Sequence, residues 1–223
     1  MMKEKLAVIF DMDGVLVDNS EVHNETWRMI CDRYGYKTTK EEIKSIFGGT
    51  NKIFVKKLMG IKDKGRIESI AIEKEALYRE IFDKQIKAPE GLLKLLFNLK
   101  KNNVQLAVAT SGPTENLNFV LDKLDIRGFF DVLIDESFIS KGKPDPEVFI
   151  VTSQKLGIEP KYCAVIEDSI YGIKAAIAAG MKVIGITTSF SPDKIKIANL
   201  VINGFDEIDY LKIKEIIFNR SKL

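Results

Sequence analysis

Residues 6–10 (LAVIF) form an unbroken apolar run that stops at Asp11. Continuous rather than alternating apolarity marks a strand buried on both faces, as in a parallel sheet held between helices. Similar runs recur at residues 104–109, 132–134, 163–166 and 183–186, with a weaker one at 200–202. Between them, residues 90–101, 113–124, 146–156 and 170–179 carry helical spacing. Pro113 and Pro146 suit first helical turns, and Gly157 and Gly180 suit C-terminal caps. This alternation predicts an α/β fold: a Rossmann-like parallel sheet core with right-handed crossovers.

One stretch breaks the pattern. Between about residues 20 and 87 no strand is evident and only helical periodicity appears. Trp27, Ile30, Cys31 and Tyr34 share one face; Ile67, Ile70, Ala71, Lys74, Leu77, Tyr78 and Ile81 share another. The expected division is therefore a core from residues 1–19 and 88–223, interrupted by an inserted α-helical cap at 20–87. A chain of 223 residues is long enough for both parts.

Charge narrows the partners. The 34 basic residues nearly cancel 32 acidic ones, leaving +2. No block of like charge points to nucleic acid or an anionic membrane, and the Lys-rich stretch 62–66 reads as a solvated helix end. Cys31 and Cys163 are too few for a disulfide framework and lack metal-site spacing, so Cys163 reads as a buried thiol. The first residues lack a signal-peptide pattern, and no run reaches the roughly 20 apolar residues of a membrane helix. The expected setting is cytoplasmic and the default state a monomer.

The chemistry-bearing signals sit at the ends of the apolar runs. Asp11-Met12-Asp13-Gly14 follows the first. Residues i and i+2 of an extended segment project to one side, so Asp11 and Asp13 meet at a strand's carboxyl end, where open parallel sheets place their sites. Paired carboxylates need a cation or a shared proton, and Gly14 permits the tight exit turn. The ordinary alternative is a turn or N-cap pair. Thr110-Ser111-Gly112 ends the next run: a hydroxyl and exposed N–H groups before a helix make a phosphate cradle, although such residues are also common turn formers. Lys143 lies in a stiff Gly142-Lys143-Pro144-Asp145-Pro146 loop, where an ammonium can hold phosphate and balance carboxylates; Lys141 is its solvated counterpart. Glu167 and Asp168 close another run, and Asp168 can complete an all-oxygen Mg²⁺ site or simply cap a helix.

In this order and spacing, with FDMDGVLVD, GKPDPEVF and VIEDSIYGI, the chain resembles haloacid dehalogenase superfamily hydrolases over about residues 5–205. It is most similar to β-phosphoglucomutase-like and phosphoglycolate-phosphatase-like members with a helical cap. The resemblance implies Asp11 as nucleophile and Asp13 as acid and base. It implies Mg²⁺ on Asp11, Asp168 and the Asp13 carbonyl, with Glu167 in the outer shell. It further implies Lys143, Thr110, Ser111 and Gly112 around the phosphoryl group. His23 matches a histidine near the cap hinge, and Arg79 a basic residue that reaches substrate from the cap; a solvent-facing histidine and an Arg79–Glu75 surface pair are the plainer alternatives. Where sugar-phosphate mutases carry two basic residues, this sequence has Phe47 and Asn51, with Lys52 next door. The implied activity is a phosphatase acting on a small phosphorylated metabolite such as a sugar phosphate. A β-phosphoglucomutase-type mutase is the alternative, and a non-catalytic metal- and phosphate-binding protein the second.

Overall fold

The computed structural model describes residues 5–46 and 49–218. Six strands, β1 (Ala7–Phe10), β2 (Gln105–Ala109), β3 (Val132–Ile134), β4 (Cys163–Glu167), β5 (Lys182–Ile186) and β6 (Leu200–Ile202), form one parallel sheet in the order β3-β2-β1-β4-β5-β6. Every neighbouring pair is parallel. The order reverses direction at β1, which pairs with β2 on one side and β4 on the other. That reversal opens a crevice beyond the carboxyl ends of the central strands.

The continuous apolar runs are explained by what covers each face. Val8 and Phe10 of β1 join Ala164 and Ile166 of β4 in one cluster, and Ala7 and Ile9 join Cys163 and Val165 in another. On the first face lie α5 (Leu92–Lys101), α6 (Thr114–Lys123) and α10 (Tyr210–Phe218); on the second lie α7 (Glu147–Leu156), α8 (Ile170–Ala178) and α9 (Pro192–Ile195). Leu92, Leu95, Leu96 and Leu99 give α5 a wholly buried stripe against the sheet. Pro113 and Pro146 stand at the N-cap, just outside the first turns expected for them. Helix α5 begins two residues later than its spacing suggests, because Gly91 takes a left-handed φ of 79° and turns the chain into it.

The interruption after β1 is helical as expected, comprising α1 (Ser20–Arg33), α2 (Lys40–Lys44), α3 (Asn51–Met59) and α4 (Lys64–Phe82). These helices bury a cluster of their own around Trp27, Ile30, Ile43, Phe54, Val55 and Ile70. Tyr78 and Phe82 at the end of α4 instead join the first sheet cluster, tying this helical layer to the core. Residues 62–66 are exposed at the start of α4. Both cysteines are buried and unpaired; burial pushes the Cys163 thiol up to about 12 and that of Cys31 to about 11. No described helix is long and apolar enough to cross a membrane.

Leu96 is fully buried and Leu93, on the same helix, is 43% exposed. Urea unfolding of Leu96→Ala is expected to show a loss of about 2–5 kcal/mol, against about 0.5 kcal/mol or less for Leu93→Ala. Equal losses would contradict the described facing of α5.

Candidate active site

Four chain segments converge at the carboxyl ends of β1, β2 and β4. Asp11 directly follows β1, and its N–H is held by the Ile166 carbonyl of β4 at 3.0 Å. Thr110 follows β2, its N–H bonded to Ile134 O at 3.0 Å. Glu167 ends β4 and Asp168 begins the turn into α8. Lys143 enters from the loop before α7. Asp11, Asp13, Thr110, Ser111, Gly112, Lys143 and Asp168 line one cavity together with His23 from α1.

The acidic end of this cavity is charge-dense and buried. Asp11, Glu167 and Asp168 are buried, and one oxygen of each lies within 4.8 Å of the others. Lys143 is 3% exposed and supplies the counter-charge. Its Nζ stands 2.7 Å from Asp11 Oδ1 and 2.7 Å from Glu167 Oε1, and it donates to Ala109 O at 3.5 Å. Burial works against the ammonium, but the Asp11 and Glu167 charges outweigh it and hold Lys143 protonated well above its ordinary range. One ammonium does not balance three carboxylates. Asp11 and Asp168 are both raised well above the usual carboxylate range, first by burial and then by neighbouring acids. Glu167 accepts from the Ser169 N–H at 2.6 Å and is enclosed behind the cavity rather than lining it. An excess of buried oxygen donors that resist ionisation is what a hard divalent cation would relieve, and the donor set fits one.

Two glycines make the cluster possible. Gly14 has φ 75°, and a Cβ there would come within 1.9 Å of Asp168 Oδ2; at Gly172 a Cβ would come within 1.6 Å of Glu167 Oε1. Asp168 is further held by the Ser189 hydroxyl. Thr110 Oγ1 accepts from the Gly112 N–H at 3.0 Å, leaving Ser111 Oγ buried without a partner at the cavity wall. A buried hydroxyl of this kind is a ready contact for a phosphate oxygen. Lys141 is exposed and pairs with Asp145 at 3.6 Å, the plain role expected of it.

The helical layer closes the other side. Asp13 Oδ1 accepts from Asn19 Nδ2 at 2.6 Å and faces His23 Nε2 at 3.4 Å. Burial would raise Asp13, but hydrogen bonds from His23 and Asn19, with the Lys74 charge, hold it below the usual range. Lys74 Nζ lies 2.7 Å from His23 Nδ1. A lysine has only donors, so Nδ1 accepts and the ring proton belongs on Nε2, facing Asp13. His23 also stacks on Tyr78 at 4.2 Å and 5°. It is therefore a buried member of the site rather than a solvated helix residue.

Arg79 stands one step back: its NH1 donates to Asn116 Oδ1 at 2.7 Å, and it is not among the residues lining the cavity. Glu75 does line it, accepting from Asn116 Nδ2 at 2.7 Å and Asn51 Nδ2 at 2.9 Å. Lys52 is exposed and does not line it; Phe47 and Gly48 lie outside the described residues. Sequence reasoning missed Asn19, Trp27, Lys74, Glu75, Tyr78 and Asn116 as site residues. Lys74 had a signal, being a charged residue in the apolar stripe of α4. Asn19 had one too, at an N-cap position whose side chain caps nothing because it serves Asp13. Glu75 and Asn116 had none, since each is an ordinary helix residue until the layers meet.

Residues 8–186 match the family model for haloacid dehalogenase-like hydrolases. The chain is 31% identical over 190 residues to a phosphorylated carbohydrates phosphatase of Thermotoga maritima, covering 84% of this chain and 88% of that one. It is 31% identical over 200 residues to β-phosphoglucomutase of Bacillus subtilis, covering 81% and 82%. A solved family IA, variant 3 hydrolase of the same kind from Entamoeba histolytica superposes with a TM-score of 0.87 at 32% identity, covering 95% of this chain and 99% of that one.

Because Asp168 is raised in the folded protein, the native state binds more protons than the unfolded chain above about pH 4, and ionising this group costs stability as pH rises. With divalent cations chelated, Asp168→Asn is expected to match wild type near pH 4. Toward pH 7 it should gain on wild type by up to about 1.4 kcal/mol per pH unit, measured by urea unfolding. An advantage that stays flat with pH would contradict the described electrostatics.

Proposed function

The chain belongs to the haloacid dehalogenase-like hydrolases, and we propose that within them it is a Mg²⁺-dependent phosphatase of a small phosphorylated metabolite, working through an aspartyl-phosphate on Asp11. The observation that carries this reading is the convergence of Asp11, Asp13, Lys143 and the Thr110–Gly112 turn on one cavity, beside a carboxylate set that fits a divalent cation. The same layout supports a core of residues 1–19 and 88–223 under a cap of residues 20–87.

In the proposed chemistry an Asp11 carboxylate oxygen attacks phosphorus and the ester P–O bond breaks. Asp13 gives its proton to the leaving alkoxide oxygen. Asp13 is held ionised in the free site, and the arriving negative phosphoryl group favours its protonated form. Asn19 and His23 fix the carboxylate that must make this transfer. In the second half, water attacks the phosphoryl group, loses its proton to Asp13, and frees Asp11 and inorganic phosphate. Lys143, Thr110, Ser111 and Gly112 hold the phosphoryl oxygens. Bound Mg²⁺ would offset repulsion between the attacking carboxylate and the phosphoryl oxygens, with Asp11 and Asp168 as its carboxylate ligands and Glu167 behind them.

The cavity measures about 80 Å³, far below the roughly 300–1,000 Å³ of an open ligand cleft. Substrate entry on this reading requires the helical layer to swing away from the sheet. The mutase reading rests on similarity to β-phosphoglucomutase. A mutase must also hold a second phosphate, and both lysines lining the cavity are already paired.

Phosphate release from a panel of sugar and small organic monophosphates should require Mg²⁺, and Asp11→Asn should lower it at least about a thousandfold. Hydrolysis retained by Asp11→Asn would overturn the nucleophile assignment. Glucose 1-phosphate to 6-phosphate interconversion primed by glucose bisphosphate, without phosphate release, would replace the phosphatase with the mutase.

A further inference from the structure

The wall that the helical layer gives the cavity has a chemical character of its own. Trp27 and Phe54 stack at 4.9 Å and 7° and present apolar carbon. Asn51 and Asn116 add amides, and Glu75, 6% exposed, adds a carboxylate. Glu75 Oε1 accepts from Lys74 Nζ and Asn51 Nδ2, each at 2.9 Å, and Oε2 accepts from Asn116 Nδ2 at 2.7 Å. An ionised carboxylate offers about four acceptor positions. The bonds described fill both on Oε1 and one on Oε2, so Oε2 keeps one for a donor inside the cavity. Burial would raise Glu75, but the Lys74 charge, with the hydrogen bonds from Lys74 and Asn116, holds it below the usual range, so it stays charged at neutral pH.

No spare cation accompanies it among the described lining residues. Lys74 points at His23 and Glu75, and Lys143 at Asp11 and Glu167. A hydroxyl-bearing group suits this wall: its O–H donates to Glu75, its oxygen accepts from an amide, and its C–H face rests on the aromatic pair. An anionic group would meet a buried carboxylate whose described counter-charge, Lys74, is already committed to it and to His23.

Resting on the phosphatase reading, we propose that Glu75 is a specificity-determining residue. It accepts a hydroxyl donor from the non-transferring end of a polyol or sugar monophosphate, and it turns away esters whose far end carries a second phosphate or a carboxylate. A Glu75 that merely tied the layers together through Asn116 would affect neutral-ended and anionic-ended esters alike.

The test is calorimetric binding of a hexose 6-phosphate and of the matching 1,6-bisphosphate, with Mg²⁺ present. Asp11→Asn protein is compared with the same protein also carrying Glu75→Gln. The monophosphate is expected to bind about tenfold or more tightly when Glu75 is present, and Glu75→Gln should shrink that preference at least about fivefold. Asn51→Arg, which keeps Glu75 but puts a cation where an amide donates to it, should shift preference toward the bisphosphate and serves if Glu75→Gln fails to fold. A preference unchanged by both substitutions, a bisphosphate bound more tightly with Glu75 in place, or no binding of either ester would each overturn the proposal. Phosphate release by wild type is measured separately: its failure would sink the phosphatase reading, while the ratio of affinities still decides the role of Glu75.

Discussion

A single buried ammonium, Lys143, holds the centre of this protein together. It sits 2.7 Å from carboxylates delivered by two different strands, Asp11 after β1 and Glu167 at the end of β4. Breaking a buried pair of this kind leaves charges that cannot be hydrated, so it is more costly to lose than it is stabilising to keep. The sheet order makes the meeting possible. Since β1 is central and β4 is its direct neighbour, both acids emerge on the same rim, where the loop before α7 can reach them. Yet the pair is not the whole cluster. With Asp168 present, full ionisation would exceed what Lys143 supplies, so Asp11 and Asp168 are raised instead, and acids perturbed in this way in an otherwise consistent core mark a candidate functional site.

The helical layer repeats this device. Lys74 is 2% exposed, lies 5.4 Å from the ring centroids of Trp27 and Tyr78, and pairs with Glu75 at 2.9 Å. Through His23 it reaches Asp13, so the orientation of an acid on the core depends on a lysine in the helices. Asn116 completes the link in the other direction: this core residue is gripped by Glu75 and Arg79, one turn apart on α4. Moving the layers apart would break both links at once. The groups proposed for proton transfer and for recognition are thus assembled only when the layers are together, and an open protein would hold Asp13 less firmly.

Most of the sheet was legible in the sequence because burial on both faces writes a plain signal, and residues 6–10 or 163–166 have no other economical reading. The acidic and basic residues at strand ends were legible for a related reason: abrupt polarity after an apolar run is rare in a core. Residues of the helical layer were less so. Lys74 was visible as a misfit in a stripe of apolar positions, but its partners His23 and Glu75 carry no shared pattern with it. Arg79 shows how spacing misleads. Its separation from Glu75 fits a surface pair, but the structure turns it toward Asn116, because Glu75 is drawn inward by Lys74 and two amides. Contacts across layers depend on how helices seat against a sheet, which local periodicity does not encode.

The proposed choice of water as phosphoryl acceptor rests on the same geometry. A mutase needs its intermediate to turn over within the site and to be held by either phosphate, which calls for a second positive subsite. Here, among the described lining residues, the cavity has one positive end, at Lys143, and a far wall whose lysine, Lys74, is already committed to His23 and Glu75. On the proposed reading such a wall favours a neutral, hydroxylated group over a second phosphate. Water, by contrast, needs only room and a base, and Asp13, held ionised beside Asn19 and His23, is placed to be that base. The asymmetry of charge between the two ends of the cavity therefore argues for hydrolysis over transfer, independently of which metabolite is the substrate.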